Sequence, residues 1–234
     1  MKAEELKPEC FPLGREEAGA VLDRIIPAVR EAVRGRPDPS VTAIAKRSRS
    51  PFRVLVSTII SARTKDEVTE GASRRLFALA DNPTDLAALD LKEIEKAIYP
   101  AGFYRNKAKA ISRMAGQLLT DFSGEVPDRI EQLVTLAGVG RKNANLVVTL
   151  AFEKPGICVD THVHKICNRL GVVATAHPDQ TELALRAVLA PRHWIPINDL
   201  LVLYGQSVCT PVSPRCSICV ISAHCRRVGV TTTR

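Results

Sequence analysis

The chain has 234 residues, 45% hydrophobic and 25% charged, which is enough to bury a sizeable core in one or two domains. No apolar run approaches the roughly 20 residues that span a bilayer, and the opening stretch MKAEELKPECFPLGREE has no apolar signal core, so membrane and secreted classes drop out and a bacterial or archaeal cytoplasm is the expectation. Lys plus Arg outnumber Asp plus Glu by 33 to 25, a net charge of +8 that favours a polyanionic partner, while 4% aromatic residues argues against an RNA-binding domain built on base stacking.

In chain order the pattern predicts helices almost throughout. Residues 16–34 repeat apolar positions at helical spacing, with Pro27 marking a kink or an early break. GRPDPS (35–40) reads as a turn, and Ser50 followed by Pro51 opens the next helix in the order cap, then proline. Its continuation FRVLVSTIISA is rich in β-branched residues, yet nothing after it alternates or offers a hairpin partner, so a buried helix is predicted there. Further helices are expected over 66–80, 84–88, 91–98, 105–121, 128–136, 141–152, 161–170, 179–189 and 198–207. No Gly/Ser linker, repeat or low-complexity tract separates them, and the fold class is all-α.

Within IEQLVTLAGVGRKNANLVVTLAF (130–152), two helical patterns meet at Gly138, Val139 and Gly140, a link that permits only a tight antiparallel hairpin. Exposed amides at the start of the second helix, beside Arg141 and Lys142, suit one DNA phosphate and hold backbone without reading sequence. The bland alternative is a structural αα-hairpin with a glycine turn. Neither glycine-rich nucleotide motif fits: position 143 is Asn, and no glycine directly precedes Lys142.

Lys142 falls on the first turn of its helix, where the positive end of the dipole favours the neutral amine that a Schiff-base nucleophile needs. Asp160, in ICVDTHVHKICNRLG, directly precedes another helix. It can be a simple N-cap, or a fixed carboxylate that stabilises positive charge on a sugar ring. Near the C-terminus Cys209, Cys216, Cys219 and Cys225 are spaced C-x6-C-x2-C-x5-C, four of the chain's seven cysteines. Wide, unequal gaps around a single C-x2-C suit the corners of a 4Fe-4S cube; a structural zinc site, with His224 as a possible ligand, is the alternative. Cys158 and Cys167 are expected to pack as small buried hydrophobes.

Taken together, GVGRKNAN, VDTHVHKICNRLG and the cysteine loop resemble the endonuclease III family of the helix-hairpin-helix DNA glycosylase superfamily. The resemblance runs from about residue 23 to about 228, with weaker support from SARTKD (61–66) and AGFYRNKAKAI (101–111). It implies a bifunctional DNA N-glycosylase and abasic-site lyase of base excision repair. Such an enzyme works as a monomer on double-stranded DNA carrying damaged pyrimidines or abasic sites, and cuts the strand by β-elimination. By the same resemblance Lys142 attacks the sugar C1′, Asp160 is the assisting carboxylate, and Cys209, Cys216, Cys219 and Cys225 ligate a 4Fe-4S cluster. Gly138, Val139, Gly140 and Arg141 would hold DNA, while Arg63 and Phe103 occupy the segments that fill the gap left by a flipped nucleotide.

The implied architecture is a helical barrel domain (44–154) ending in the hairpin and a discontinuous cluster domain (16–43 plus 155–234), with a DNA cleft between them and a flexible extension over residues 1–15. This chain departs from the family pattern in places. Arg63 stands where Gln is common, Ala137 where Pro usually precedes the first glycine, and Asn143 where Thr usually follows the lysine. Adenine glycosylases acting on A/G mismatches generally lack the lysine and carry a further C-terminal domain, and thymine-mismatch glycosylases have Tyr at the lysine position. A non-catalytic DNA-binding module with a zinc site is the reading from another class.

Overall fold

Every regular element among residues 6–234, the part described by this computed structural model, is helical. The first five residues of the expected N-terminal extension lie outside the described residues. From Leu6 onward that stretch is anchored: Leu6 and Phe11 are buried in a core cluster, the Cys10 carbonyl accepts from the Ala174 amide at 2.8 Å, and the Arg15 guanidinium lies over the Phe11 ring. The chain divides into two units, one joining the segment through Pro37 to Pro155–Arg234, the other formed by Asp38–Lys154.

Helix α1 (Arg15–Ala32) buries Ala18, Val21, Leu22, Ile25, Ile26 and Val29, the stripe that its apolar spacing dictates. Pro27 sits on the exposed face, and the helix continues past it rather than breaking. The second unit then runs through α2 (Ser40–Ser48), α3 (Pro51–Ser61), α4 (Asp66–Phe77), α5 (Pro83–Ala88), α6 (Leu91–Ile98), α7 (Tyr104–Asp121), α8 (Ile130–Leu133) and α9 (Arg141–Phe152).

Helix α3 is the axis of this unit, packing on α2, α4, α7 and α9. The β-branched run that could pass for a strand is helical because all its faces find partners; Phe52 and every residue of 54–60 are buried. Ser50 Oγ caps it by accepting from the Arg53 amide at 3.3 Å, with Pro51 at the first position, as the order Ser-Pro predicts. Helix α2, which falls partly on the expected turn, is a difference from the sequence reading. Its Ser40 amide donates to Asp66 Oδ1 at 3.1 Å, so a residue from the start of α4 supplies the cap. Helix α8 is shorter than the expected 128–136, because the chain tightens into i→i+3 bonds at Thr135 and Leu136 before the hairpin turn.

The first unit resumes with α10 (Thr161–Leu170), α11 (Pro178–Val188) and α12 (Ile197–Ser207), where α12 packs on both α10 and α1. Gly205 makes the α10–α12 approach possible, since a Cβ there would overlap the His162 ring. Gly205→Ala is therefore expected to destabilise the protein by about 2–3 kcal/mol or more, read as a lowered urea or thermal midpoint. Cys158 and Cys167 lie in this unit as buried thiols, and full burial pushes Cys167 up to about 12, which keeps it inert.

Candidate functional site

The hairpin between α8 and α9 is built on two glycines with different tasks. Gly138 has φ +78, a region costly for any residue with a Cβ, and an added Cβ would come within 2.9 Å of Ala110 Cβ and 3.5 Å of Ile59. The turn is thus pressed against α3 and α7, with Val139 buried beneath it. Gly140 is the N-cap of α9, brings no capping side chain, and faces open space on the side where a Cβ would stand. An anion can approach that helix start closely. Asn143, at the position where Thr is usual, is buried and its Nδ2 donates to the Gly138 carbonyl at 3.3 Å, tying the turn to the helix. Arg141 and Lys142 occupy the first turn of α9, both partly exposed.

Two further loops belong to the same unit. The segment after α3 carries Arg63 at φ 53, and Phe103, the residue before α7, has φ 57; both are in the left-handed region. Each conformation costs about 1–2 kcal/mol and persists only where the surroundings enforce it. Lys107 supplies that enforcement. Its Nζ, nearly buried, donates to the Ile60 carbonyl at 2.6 Å, the Ala62 carbonyl at 2.5 Å and Thr64 Oγ1 at 2.8 Å. Burial pushes the amine down to about 8, which still leaves it charged at neutral pH. Thr64 Oγ1 in turn accepts from the Gly102 amide at 3.1 Å, and a Cβ on Gly102 would stand 2.5 Å from the Arg63 carbonyl oxygen. On the far side of that second loop, Arg75 donates to the carbonyls of Ala97 and Tyr99. The Arg63 guanidinium lies over the Phe103 ring, 5.6 Å from its centroid, with Phe103 61% exposed.

In the other unit Asp160 caps α10. Its Oδ1 accepts from the amides of both His162 and Val163 at 2.8 Å, which leaves Oδ2 without a hydrogen bond among the described residues. The capping role read from the sequence and the availability of a carboxylate oxygen thus coexist in one side chain.

The four cysteines of the C-terminal segment line one cavity whose walls are otherwise apolar, including Ile166, Leu170, Val208 and Ile221. Burial pushes the thiols of Cys209 and Cys225 up, an effect that Arg169 only partly offsets at Cys209. Iron ligation, which holds such sulfurs as thiolates, removes that cost. Donors already face them: Arg169 Nη1 lies 3.3 Å from Cys209 Sγ, Tyr204 Oη 3.2 Å from Cys219 Sγ, and the Arg227 amide 3.4 Å from Cys225 Sγ. Tyr204 is fully buried, and desolvation together with Cys219 raises its pKa and keeps the phenol a donor. Arg169 also binds the carbonyls of Cys209, Thr210 and Pro211, pinning the loop to α10. This donor set fits a 4Fe-4S cube.

Lys107, Asn143, Arg169 and Tyr204 are absent from the candidates read off the sequence. Arg169 was within reach, since it follows Asp160 by nine residues on the amphipathic α10. Lys107 and Tyr204 acquire their partners only when α7 folds onto the end of α3 and α12 folds under the cysteine loop.

Comparison with known proteins agrees with this geometry. Residues 56–191 match the HhH-GPD superfamily base excision DNA repair protein, and residues 209–225 match the iron-sulfur binding domain of endonuclease III. The chain is 45% identical over 175 residues to Endonuclease III of Thermotoga maritima, covering 75% of this chain and 82% of that one. It is 36% identical over 178 residues to Endonuclease III of Bacillus subtilis, covering 76% and 81% of the two chains. A trapped endonuclease III–DNA covalent intermediate, an estranged-adenine complex, superposes with a TM-score of 0.81 at 30% identity, over 89% of this chain and 96% of that one. The chain belongs to the endonuclease III family of the HhH-GPD superfamily, and is accordingly a DNA glycosylase/AP lyase of base excision repair that carries a 4Fe-4S cluster.

Proposed function

We propose that the protein removes oxidised pyrimidines from duplex DNA through a Schiff base on Lys142 and then cleaves the abasic strand by β-elimination, acting as a monomer. The observation that carries this reading is the placement of Lys142 two residues into α9, next to the uncapped, open helix start at Gly140 where a phosphate is received. A solved endonuclease III held covalently to DNA supports the same chemistry by relationship.

The hairpin backbone at Gly138 and Gly140, with Arg141, grips phosphate, Val139 serving as the buried anchor of the turn with its amide on the Leu136 carbonyl. The damaged nucleotide leaves the stack while Arg63 and Phe103 fill the space it vacates. Lys142 Nζ attacks C1′ as the bond from C1′ to the base breaks, the base departing with the bonding electrons and taking up a proton. Asp160 Oδ2 stabilises the electron-poor sugar. The amine loses a proton, the ring opens, and the resulting iminium acidifies a C2′ proton. Loss of that proton expels the 3′ phosphate, and water then hydrolyses the imine to free the lysine.

Cys209, Cys216, Cys219 and Cys225 hold the cluster, which, when bound, ties the apolar cysteine loop together. Cys219→Ser is expected to lower bound iron and visible absorption and to shift the unfolding midpoint down, by an amount on the order of a lost structural metal site. Iron content unchanged in that variant would remove Cys219 from the ligand set.

The test of the reading is excision from duplexes carrying a single oxidised pyrimidine, with free base and cut strand quantified separately. Both products should form together in the parent. Base release with no strand cut beyond background would reduce the protein to a monofunctional glycosylase.

A further inference from the structure

The Arg63–Phe103 pair is more specific in its hydrogen-bonding chemistry than a gap filler needs to be. Its backbone frame is fixed by Lys107, Thr64 and Gly102, both residues are held at positive φ, and the guanidinium lies over the Phe103 ring. Among the described residues no carboxylate pairs with it; its partner is the exposed face of Phe103, 5.6 Å away. A guanidinium held over an aromatic face by the ring quadrupole still keeps its N–H groups available as donors. The Gly138 turn rests on Ile59 of α3 and Ala110 of α7, while Arg63 lies two residues past the end of α3 and Phe103 directly precedes α7. By helix rise that puts Phe103, the N-cap of α7, on the order of 10 Å along the axis from Ala110 beneath the hairpin.

We propose that Arg63 reads the base left opposite the flipped nucleotide and prefers cytosine, so that abasic sites left by lost or excised guanine are a favoured substrate class of the lyase. The inference rests on the gap-filling role given to this pair above. Arg presents only donors, in a fork that matches two neighbouring acceptors. On the Watson–Crick edge, cytosine alone offers two adjacent acceptors, N3 and O2. Guanine sets one acceptor beside two donors, adenine pairs one acceptor with one donor, and thymine separates its two acceptors by a donor. A Gln at this position carries one donor group and one acceptor and would serve every base comparably. The departure at position 63 therefore exchanges tolerance for a directed choice.

The experiment measures the affinity of the intact, cluster-bearing protein at fixed salt for four duplexes with a tetrahydrofuran abasic analogue opposite C, G, A or T, beside the undamaged duplexes. The analogue carries no base, so damage recognition does not enter. The parent should bind the C duplex about fivefold or more tighter than the other three, and Arg63→Gln should bring all four within about twofold. Equal affinities in the parent, a preference for another base, or a cytosine preference that survives Arg63→Gln would each overturn the proposal while leaving the lyase reading intact. Failure to favour any abasic duplex over undamaged DNA would overturn that underlying reading, and this inference with it.

Discussion

Replacing Lys142 with Gln is expected to abolish strand cleavage at an abasic site, by at least about 10⁴-fold, the order reached when a covalent nucleophile is deleted, while duplex binding stays within about tenfold of the parent. The large loss follows because Gln cannot form the iminium that makes the C2′ proton acidic. The small one follows because phosphate is gripped by the backbone at Gly138 and Gly140 and by basic side chains, of which Lys142 is a single member. Stability should change little, since the side chain sits partly exposed on the first turn of α9. Single-turnover cleavage and a binding titration on the same abasic duplex check both halves. Equal losses in the two would indicate that Lys142 only binds.

Asp160 allows a sharper separation of structure from chemistry. Two amides, those of His162 and Val163, donate to one of its oxygens, Oδ1. Asn caps a helix about as well as Asp, so Asp160→Asn should leave stability within about 0.5 kcal/mol of the parent. It removes the negative charge at Oδ2, and base excision should slow by about 10²–10⁴-fold. Asp160→Ala loses both functions and should cost about 1 kcal/mol of stability as well. Excision by Asp160→Asn at the parent rate would confine the residue to capping, the bland role that its sequence position equally allows.

What the sequence disclosed and what it withheld divide along physical lines. The hairpin, the α10 cap and the cysteine loop are local: Gly138 needs its positive φ, Asp160 binds amides two and three residues on, and the four cysteines lie within one short segment. Such features are written in spacing and can be read from it. Helix α2 escaped because its cap comes from Asp66, far along the chain, and because Pro37 and Pro39 suggested only a turn. Lys107 escaped for a similar reason. A lysine in a basic helical stretch looks solvated until the fold sets three oxygens of the 60–64 segment around its amine. Tyr204 looks like an ordinary core aromatic until its hydroxyl is seen 3.2 Å from Cys219 Sγ. The departure at Arg63 was visible at once, but its meaning depends on the Phe103 ring beneath it, a pairing of residues forty positions apart.

The central claim is amine-based lyase chemistry at Lys142, and reductive trapping tests it most directly. The intact protein is mixed with a duplex carrying one abasic site in the presence of borohydride, and the adduct is digested and mapped. The account predicts a stable covalent protein–DNA species with the sugar remnant on Lys142. A parent protein that binds the duplex yet yields no adduct, or an adduct carried by another residue, would contradict it.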